Sequence, residues 1–404
     1  MTESIPVEVE RSRFAALLDD ARSRLSGNLG ALPVVVGLLV IWGVFQLLNP
    51  SFLSADNLVN LTLQCAAGGT IAIGVVLVLL LGQIDLSVGS VSGLAAAILG
   101  VGLTRMGWPL VVAILAAILA GAAVGLLYGI LFTRFGVPSF VITLAGLLGV
   151  LGLQLGVLGS TGSINLPAES PIVLFATRWF LPPWVAYLLV ALWAGWTFAA
   201  AVLRRRRRRR AGLPTGSLGW QAVKAGALLV VGALAVAYLA TNRGVGVMFV
   251  FFILLVIVMD LVLTRTRWGR EVYAVGGSVE AARRAGIRVD RVYISVFVLC
   301  STFAVVGGLL AAGRLTTVGL NSGAGDTNLN AIAAAVIGGT SLFGGRGSAW
   351  SALIGIAVIQ SISNGLTLLS LDSSIRYMIT GGVLLLAVIV DSLSRRARAA
   401  HGQA

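Results

Sequence analysis

Residues 60–82 read NLTLQCAAGGTIAIGVVLVLLLG, a stretch in which no side chain is charged. A helix crosses the hydrocarbon core of a bilayer with about 20 mostly apolar residues. The stretch is therefore predicted to be a membrane-spanning helix. It ends at Gly82, where a glycine-rich turn begins.

Apolar stretches of this kind recur along the chain. The 404 residues are 58% hydrophobic and 11% charged, with a mean hydropathy of +0.98, which excludes an ordinary soluble domain. About twelve runs of span length or somewhat shorter occur. They lie near 33–49, 60–82, 87–103, 109–132, 138–159, 184–203, 221–240, 246–263, 292–312, 329–343, 347–369 and 375–392. The predicted fold is an all-α polytopic membrane protein with about 10–12 transmembrane helices, and the run at 329–343 is a candidate re-entrant segment.

Arginine residues indicate which helix ends face the cytoplasm, because loops rich in Lys and Arg stay on that side. With a cytoplasmic N-terminal tail, the same side receives Arg134 and the clusters at 204–210, 265–291 and 395–398, while the other side receives only isolated arginines. Both termini are therefore predicted to be cytoplasmic. The net charge of +14 then reflects topology, and no nucleic-acid partner is predicted.

The same pattern predicts the domain organisation. A cytoplasmic tail at 1–30 contains apolar residues at helical spacing, which is typical of an amphipathic helix on the inner leaflet. A membrane domain follows at 31–395, and a cytoplasmic tail at 396–404 ends the chain. Within the membrane domain, 204–219 is predicted to be an Arg-rich cytoplasmic linker. Its seven adjacent arginines favour contact with anionic membrane lipids or simply fix the topology.

The cytoplasmic loop 264–291 contains the pattern of a short helix. Ser278 can accept from backbone N–H groups as an N-cap, Glu280 lies at the positive end of the helix, and Gly286 can close it. Small residues between these ends let another surface approach closely, and Arg284 offers a cationic edge to an acidic partner. The alternative is that the loop is basic only because it is cytoplasmic.

Two glycine-rich turns share a pattern at one constant offset. Residues 82–89, GQIDLSVG, and 338–345, GGTSLFGG, match at both terminal glycines and at the central leucine. Both follow an apolar run directed inward, which indicates a parallel internal repeat, as in many transporters; chance similarity between two glycine-rich turns is the alternative. The predicted structural turn residues are Gly82, Asp85, Gly89, Gly338 and Gly345. Asp85 is interpreted as a cap or partner of a re-entrant turn.

Few residues offer a means of driving transport. Proton-coupled carriers place acidic groups or His deep in the membrane, whereas Asp85 lies at the cytoplasmic end of a run and Asp260 within about one turn of one. The chain has no Gly-x-x-x-x-Gly-Lys-Ser/Thr loop for nucleotide phosphates. The pattern favours a transporter whose energy is supplied by another subunit. Coupling to sodium is left open as an alternative. His401 and the separated Cys65 and Cys300 provide neither a catalytic set nor a metal site.

Four motifs resemble the permease subunits of binding-protein-dependent monosaccharide ABC importers, the ribose and xylose type. They lie at 82–90, 135–145, 267–287 and 330–348, and the resemblance covers about 33–395. The length of the chain and the extended middle, about 160–245, are most similar to the longer xylose-type permeases.

The resemblance implies a mechanism and partners. The segment containing Glu280, Ala281, Ala282 and Gly286 would be a coupling helix that docks on a cytoplasmic ATP-binding subunit. That partner would use ATP and Mg, and this chain would bind no cofactor. An extracytoplasmic sugar-binding protein would deliver the sugar, and two permease chains, as a homodimer in the plasma membrane of a prokaryote, would form the pore.

Candidate sugar contacts follow from chemistry alone. A neutral sugar needs hydrogen-bonding side chains along its path, and the candidates are Asn60, Gln64, Asn330, Gln360 and Asn364. Each of them could instead bond to a neighbouring helix. A secondary carrier or channel for a small polar solute is the alternative function, and it would work without partner subunits.

Overall fold

The computed structural model describes residues 32–213, 217–323 and 326–372, together with 374–375, 377–382, 385 and 389. The amphipathic helix predicted in the tail 1–30 lies outside the described residues. So does the predicted C-terminal tail 396–404.

Most of the described chain is helical. The helices are α1 (Leu32–Leu48), α2 (Ala55–Leu80), α3 (Val88–Thr104), α4 (Leu110–Phe135), α5 (Ser139–Leu158), α6 (Pro171–Thr177), α7 (Pro183–Arg210), α8 (Leu218–Ala240), α9 (Val247–Arg265), α10 (Arg267–Gly277), α11 (Val279–Arg284), α12 (Val289–Leu315), α13 (Thr327–Ile337) and α14 (Trp350–Leu368). Two short strands, β1 (Ser163–Asn165) and β2 (Thr317–Gly319), pair antiparallel.

The all-α membrane class is confirmed. In the described part of the chain, 8 helices are long and apolar enough to cross a membrane: α2, α4, α5, α7, α8, α9, α12 and α14. Three further apolar helices, α1, α3 and α13, are shorter. The predicted number of about 10–12 crossings depends on these three and on the run at 375–392, which is only partly within the described residues. In α13 the helix has 11 residues, about 16 Å or half the hydrocarbon core.

The core of the protein is built around α2, α3 and α12, and α4 packs on α12 from outside. In α2, 89% of the apolar span is buried inside the protein. Glycines at 121, 125 and 129 lie on one face of α4 and pack directly on α12: a Cβ on Gly125 would lie 2.5 Å from the Phe297 carbonyl oxygen, and one on Gly129 would lie 2.7 Å from Ile294 Cα. These glycines therefore permit close helix packing.

Contacts between helix ends occur at two opposite ends of the molecule. Successive helices that cross the membrane in alternating directions require this arrangement. At one end Gly345 N donates to Leu80 O at 2.8 Å, which joins two turns predicted to be cytoplasmic. At the other end Arg243 Nη2 lies 3.4 Å from Asp56 Oδ1, and β1 pairs with β2. The structure thus agrees with the predicted alternation. Which end faces the cytoplasm stays a prediction from the arginine distribution.

The extended middle of the chain forms a peripheral hairpin of α7 and α8. Only 6% of the α8 span is buried, and a Cβ on its Gly232 would lie 2.6 Å from Val190 Cγ1 of α7. The arginine run is helical to Arg210, so 204–219 is not a linker throughout and only residues 211–217 separate the two helices. An apolar stretch and consecutive arginines both favour helix, which explains why α7 continues beyond its apolar part.

Candidate coupling and translocation sites

The predicted coupling segment forms α11, a helix of 6 residues. Ser278 Oγ accepts from Ala281 N at 3.3 Å as the N-cap, and Gly286 adopts a φ of +79°, which favours glycine. Ser278, Glu280, Ala281, Arg284 and Gly286 are exposed, whereas Ala282 is buried at 3%. The first five can therefore meet a partner, while Ala282 packs inward.

A second helix, α10, precedes α11 and was missed by sequence reasoning, which treated 264–277 as charged loop. Thr266 Oγ1 caps it by accepting from Gly269 N at 3.1 Å. Val272 and Val275 are buried, and Trp268 Nε1 on the same face donates to Ser295 Oγ of α12 at 2.8 Å. The 268/272/275 spacing, typical of one helix face, was the signal available in the sequence.

The C-terminal end of α10 contacts the end of α2, directly before the first glycine-rich turn, and the second glycine-rich turn itself. A Cβ on Gly276 would overlap the Leu80 carbonyl oxygen and lie 2.9 Å from Gly345 N. Tyr273 Oη donates to Gly347 O at 2.9 Å. Burial, with a smaller contribution from Asp260, raises the pKa of Tyr273, so the phenol keeps this proton. α10 thus links the exposed α11 directly to the turns at the ends of α2 and α13.

The two turns match in sequence more closely than in backbone conformation. Gly82 adopts a φ of +68°, whereas Gly338 has a φ of −69° in the right-handed region. Gly345 adopts a φ of +72°, whereas Gly89 lies within α3. The turns therefore lie side by side at the same end of the molecule without superimposable backbones. The internal repeat itself stays a prediction.

Asp85 lies deeper in the protein than predicted. Its side chain is 1% exposed; Oδ1 accepts from Ser87 N at 2.8 Å and Ser87 Oγ at 2.7 Å, and Oδ2 lies 3.7 Å from Cys300 Sγ. Cys300 comes eleven residues after the start of α12, about 16 Å along the axis. Residues 81–87 thus turn back into the interior, so α3 starts there, where water cannot satisfy its first N–H groups.

The loop after α12 folds inward over the start of α3. Asn328 Oδ1 accepts from Gly89 N. Gln154 Nε2 of α5 donates to Ser322 O at 2.9 Å and to Gly319 O at 3.2 Å. The starts of α3 and α13 therefore lie beside each other within the protein. Interrupted helices that meet inside the membrane form the substrate sites of many transporters.

The five candidate sugar contacts do not form one cluster. Asn60 Oδ1 accepts from Arg243 Nη2 at 2.6 Å near the end of α2 opposite the glycine turns. Gln360 of α14 faces α2, because its Nε2 would lie 3.2 Å from a Cβ on Gly68, and Gln64 lies one turn from Gly68. Asn330 Nδ2 donates to Asp326 Oδ2 at 2.8 Å; its Oδ1 is buried and has no hydrogen-bond partner among the described residues.

Asn364 serves a structural role in this conformation. It exchanges two hydrogen bonds with Asn57, at 2.8 and 3.0 Å, and the two residues are 7% and 8% exposed. A buried amide whose partner is removed costs about 1–3 kcal/mol. We expect Asn57→Leu to destabilise the protein by about that amount, measured by thermal unfolding in detergent. Adding Asn364→Leu should recover part of the loss; strictly additive losses would show that the pair is not coupled.

Known proteins similar to this chain are membrane permeases. A family model described as "Branched-chain amino acid transport system / permease component" matches residues 57–388. The xylose transport system permease protein XylH of Escherichia coli K12 is 34% identical over 98% of this chain and 100% of its own length. The ribose import permease protein RbsC of the same organism is 30% identical over 89% of this chain and 92% of its own length. No solved structure matches.

These matches confirm the resemblance inferred from the four motifs. They cover both turns, α10 and α11, so the arrangement described above belongs to the region shared with the permeases. The chain is therefore a multi-pass membrane transport component and belongs to the family of transport-system permease components.

Proposed function

We propose that the chain forms the translocation path for a monosaccharide, xylose or a similar pentose or hexose, in an ATP-driven importer of the cytoplasmic membrane. The similarity to xylose and ribose permeases along nearly the whole chain supports the sugar class. A cytoplasmic ATP-binding subunit that uses ATP and Mg would supply the energy. An extracytoplasmic sugar-binding protein would deliver the substrate, and a second copy of this chain would complete the pore.

One observation supports this proposal most directly: α11 is exposed, while the adjoining α10 packs on the end of α2 and on the second glycine-rich turn. A partner that displaces α11 would move α10, and Gly276 would transmit the displacement to the Leu80 carbonyl and the Gly345 N–H. Packed elements transmit such shifts because they are close-packed. The arginine distribution supports a cytoplasmic position for this surface and for both termini.

Charge reversal on α11 tests the coupling. Glu280 and Arg284 are 86% and 84% exposed and lie 3.9 Å apart, so their ion pair contributes little to folding. We expect Glu280→Lys to abolish sugar-stimulated ATP hydrolysis by the complex reconstituted in vesicles, while thermal unfolding of the permease in detergent is unchanged. Glu280→Gln is the matched control and should retain most of the activity.

Gly286 provides a second comparison at the same surface. No atom lies within 4 Å of a Cβ built there, so the glycine is needed for its positive φ and not for space. Gly286→Arg should abolish coupling, while Gly286→Asn should largely preserve it because Asn tolerates this conformation. If the reversed and bulky variants all stay coupled, α11 is not the docking helix. Sugar uptake by the purified permease alone would instead establish a secondary carrier or channel.

Asn330 is the strongest of the proposed sugar contacts, because its Oδ1 is the one among the five candidates that is buried and unpaired within the described residues. We expect Asn330→Ala to reduce sugar uptake at least about tenfold, as loss of a sugar hydrogen bond would, with unfolding in detergent little affected. Asn364→Ala should show the reverse, a lower unfolding temperature. Equal uptake by the wild type and Asn330→Ala would exclude this residue from the path.

A further inference from the structure

The length of α7 matches a helix that crosses the bilayer and ends with its arginine run at the membrane surface. α7 has 28 residues, of which 183–203 carry no charge and 204–210 are all arginine. The uncharged part is about 30 Å long, which matches the hydrocarbon core of a bilayer. Arg204 therefore lies at the boundary where lipid phosphates begin.

Part of this run lines a cleft between α7 and α8. The cleft has a volume of about 350 Å³ and is lined by Ala201, Arg204, Arg205, Arg207, Arg208, Ser217, Leu218 and Gln221. Ala201, Arg204, Arg205 and Arg208 share one helix face, with spacings of three, four and seven residues. Arg206, Arg209 and Arg210 are not among the lining residues.

The described lining of the cleft is positively charged. Among the described residues, no carboxylate forms a salt bridge with any of the arginines at 204–210. Like charges three and four residues apart on a helix repel each other, so a bound anion would relieve this repulsion. Ser217 and Gln221 add neutral hydrogen-bonding groups at the opposite wall. This combination suits a phosphate that also carries neutral hydroxyl groups.

We propose that this cleft binds the headgroup of an anionic phospholipid of the inner leaflet, with its phosphate held by Arg204, Arg205 and Arg208. A lipid is favoured over a soluble phosphate because the cleft begins where an apolar membrane span ends. Leu203, directly before these arginines, is 55% exposed and offers an apolar surface for the start of an acyl chain. The site is independent of the proposed sugar transport.

Two triple variants with equal charge loss test the site. Full-length permease in a neutral detergent is titrated with phosphatidylglycerol or with zwitterionic phosphatidylcholine, and the thermal unfolding temperature is measured. We expect phosphatidylglycerol alone to stabilise the wild type. Arg204→Gln/Arg205→Gln/Arg208→Gln should weaken this binding at least about tenfold, whereas Arg206→Gln/Arg209→Gln/Arg210→Gln should weaken it clearly less.

Three outcomes would overturn the proposal. Equal weakening by both triples would mean that charge density alone attracts lipid. Equal stabilisation by the two lipids would mean that no anion is recognised. Displacement of phosphatidylglycerol by an equal concentration of inorganic phosphate would mean that the cleft takes free phosphate. Both triples should unfold at the wild-type temperature in the absence of lipid, which separates binding from folding.

Discussion

Gly276→Ala is expected to reduce sugar-stimulated ATP hydrolysis about tenfold or more. The added methyl group would overlap the carbonyl oxygen of Leu80 and crowd the N–H of Gly345. Both are backbone atoms, so a change of side-chain rotamer cannot relieve the overlap. Overpacking of this kind costs about 1–3 kcal/mol, and about 1.4 kcal/mol corresponds to a factor of ten in a rate. The end of α10 would move away from one turn or both.

Gly277 offers a matched control one residue away. It is also the last residue of α10, and no atom lies within 4 Å of a Cβ built there. Gly277→Ala should therefore leave ATP hydrolysis and sugar uptake near wild-type values in the same vesicles. If both substitutions have the same effect, helix propensity at the end of α10 matters and the contact with the turns does not.

Asp85→Ala is expected to destabilise the permease by about 3 kcal/mol. The substitution leaves the Ser87 N–H and hydroxyl without their acceptor in a site where Asp85 is 1% exposed. Each unsatisfied buried group costs about 1–3 kcal/mol. The start of α3 should loosen, and sugar uptake should fall with it. Thermal unfolding in detergent and uptake in vesicles measure the two effects.

Asp85→Asn separates hydrogen bonding from packing at this site. The amide oxygen of Asn can still accept from Ser87, and its NH₂ group would face the Cys300 sulfur. This variant should lose clearly less stability than Asp85→Ala. Equal unfolding temperatures for the two variants would show that the oxygen acceptor does not hold the start of α3.

The sequence predicted the membrane class and α11 because both depend on local patterns. Apolar runs of span length have few alternatives to a helix. The Ser278 cap and Gly286 act within a few residues of each other, so their roles are visible without tertiary structure. α10 could also have been predicted, since Trp268, Val272 and Val275 have helical spacing, but the charged residues around them masked the pattern.

Features that depend on distant contacts could not be predicted. The depth of Asp85 follows from its position beside Cys300, 215 residues along the chain, and no local signal records that proximity. Likewise, Asn364 is paired with Asn57 of another helix, and Asn60 is paired with Arg243 in the loop between α8 and α9. Sequence chemistry identified amides suited to a sugar, but only the arrangement of helices distinguishes paired amides from Asn330, whose Oδ1 has no hydrogen-bond partner among the described residues.

The glycine face of α4 limits how this permease can change shape. Gly125 and Gly129 place the backbones of α4 and α12 in direct contact, and a Cβ at either position would meet backbone atoms of α12. Sliding one helix along the other would bring larger side chains into the gap left by these glycines. The pair therefore resists sliding, and we expect any conformational change in this permease to leave α4 and α12 packed together.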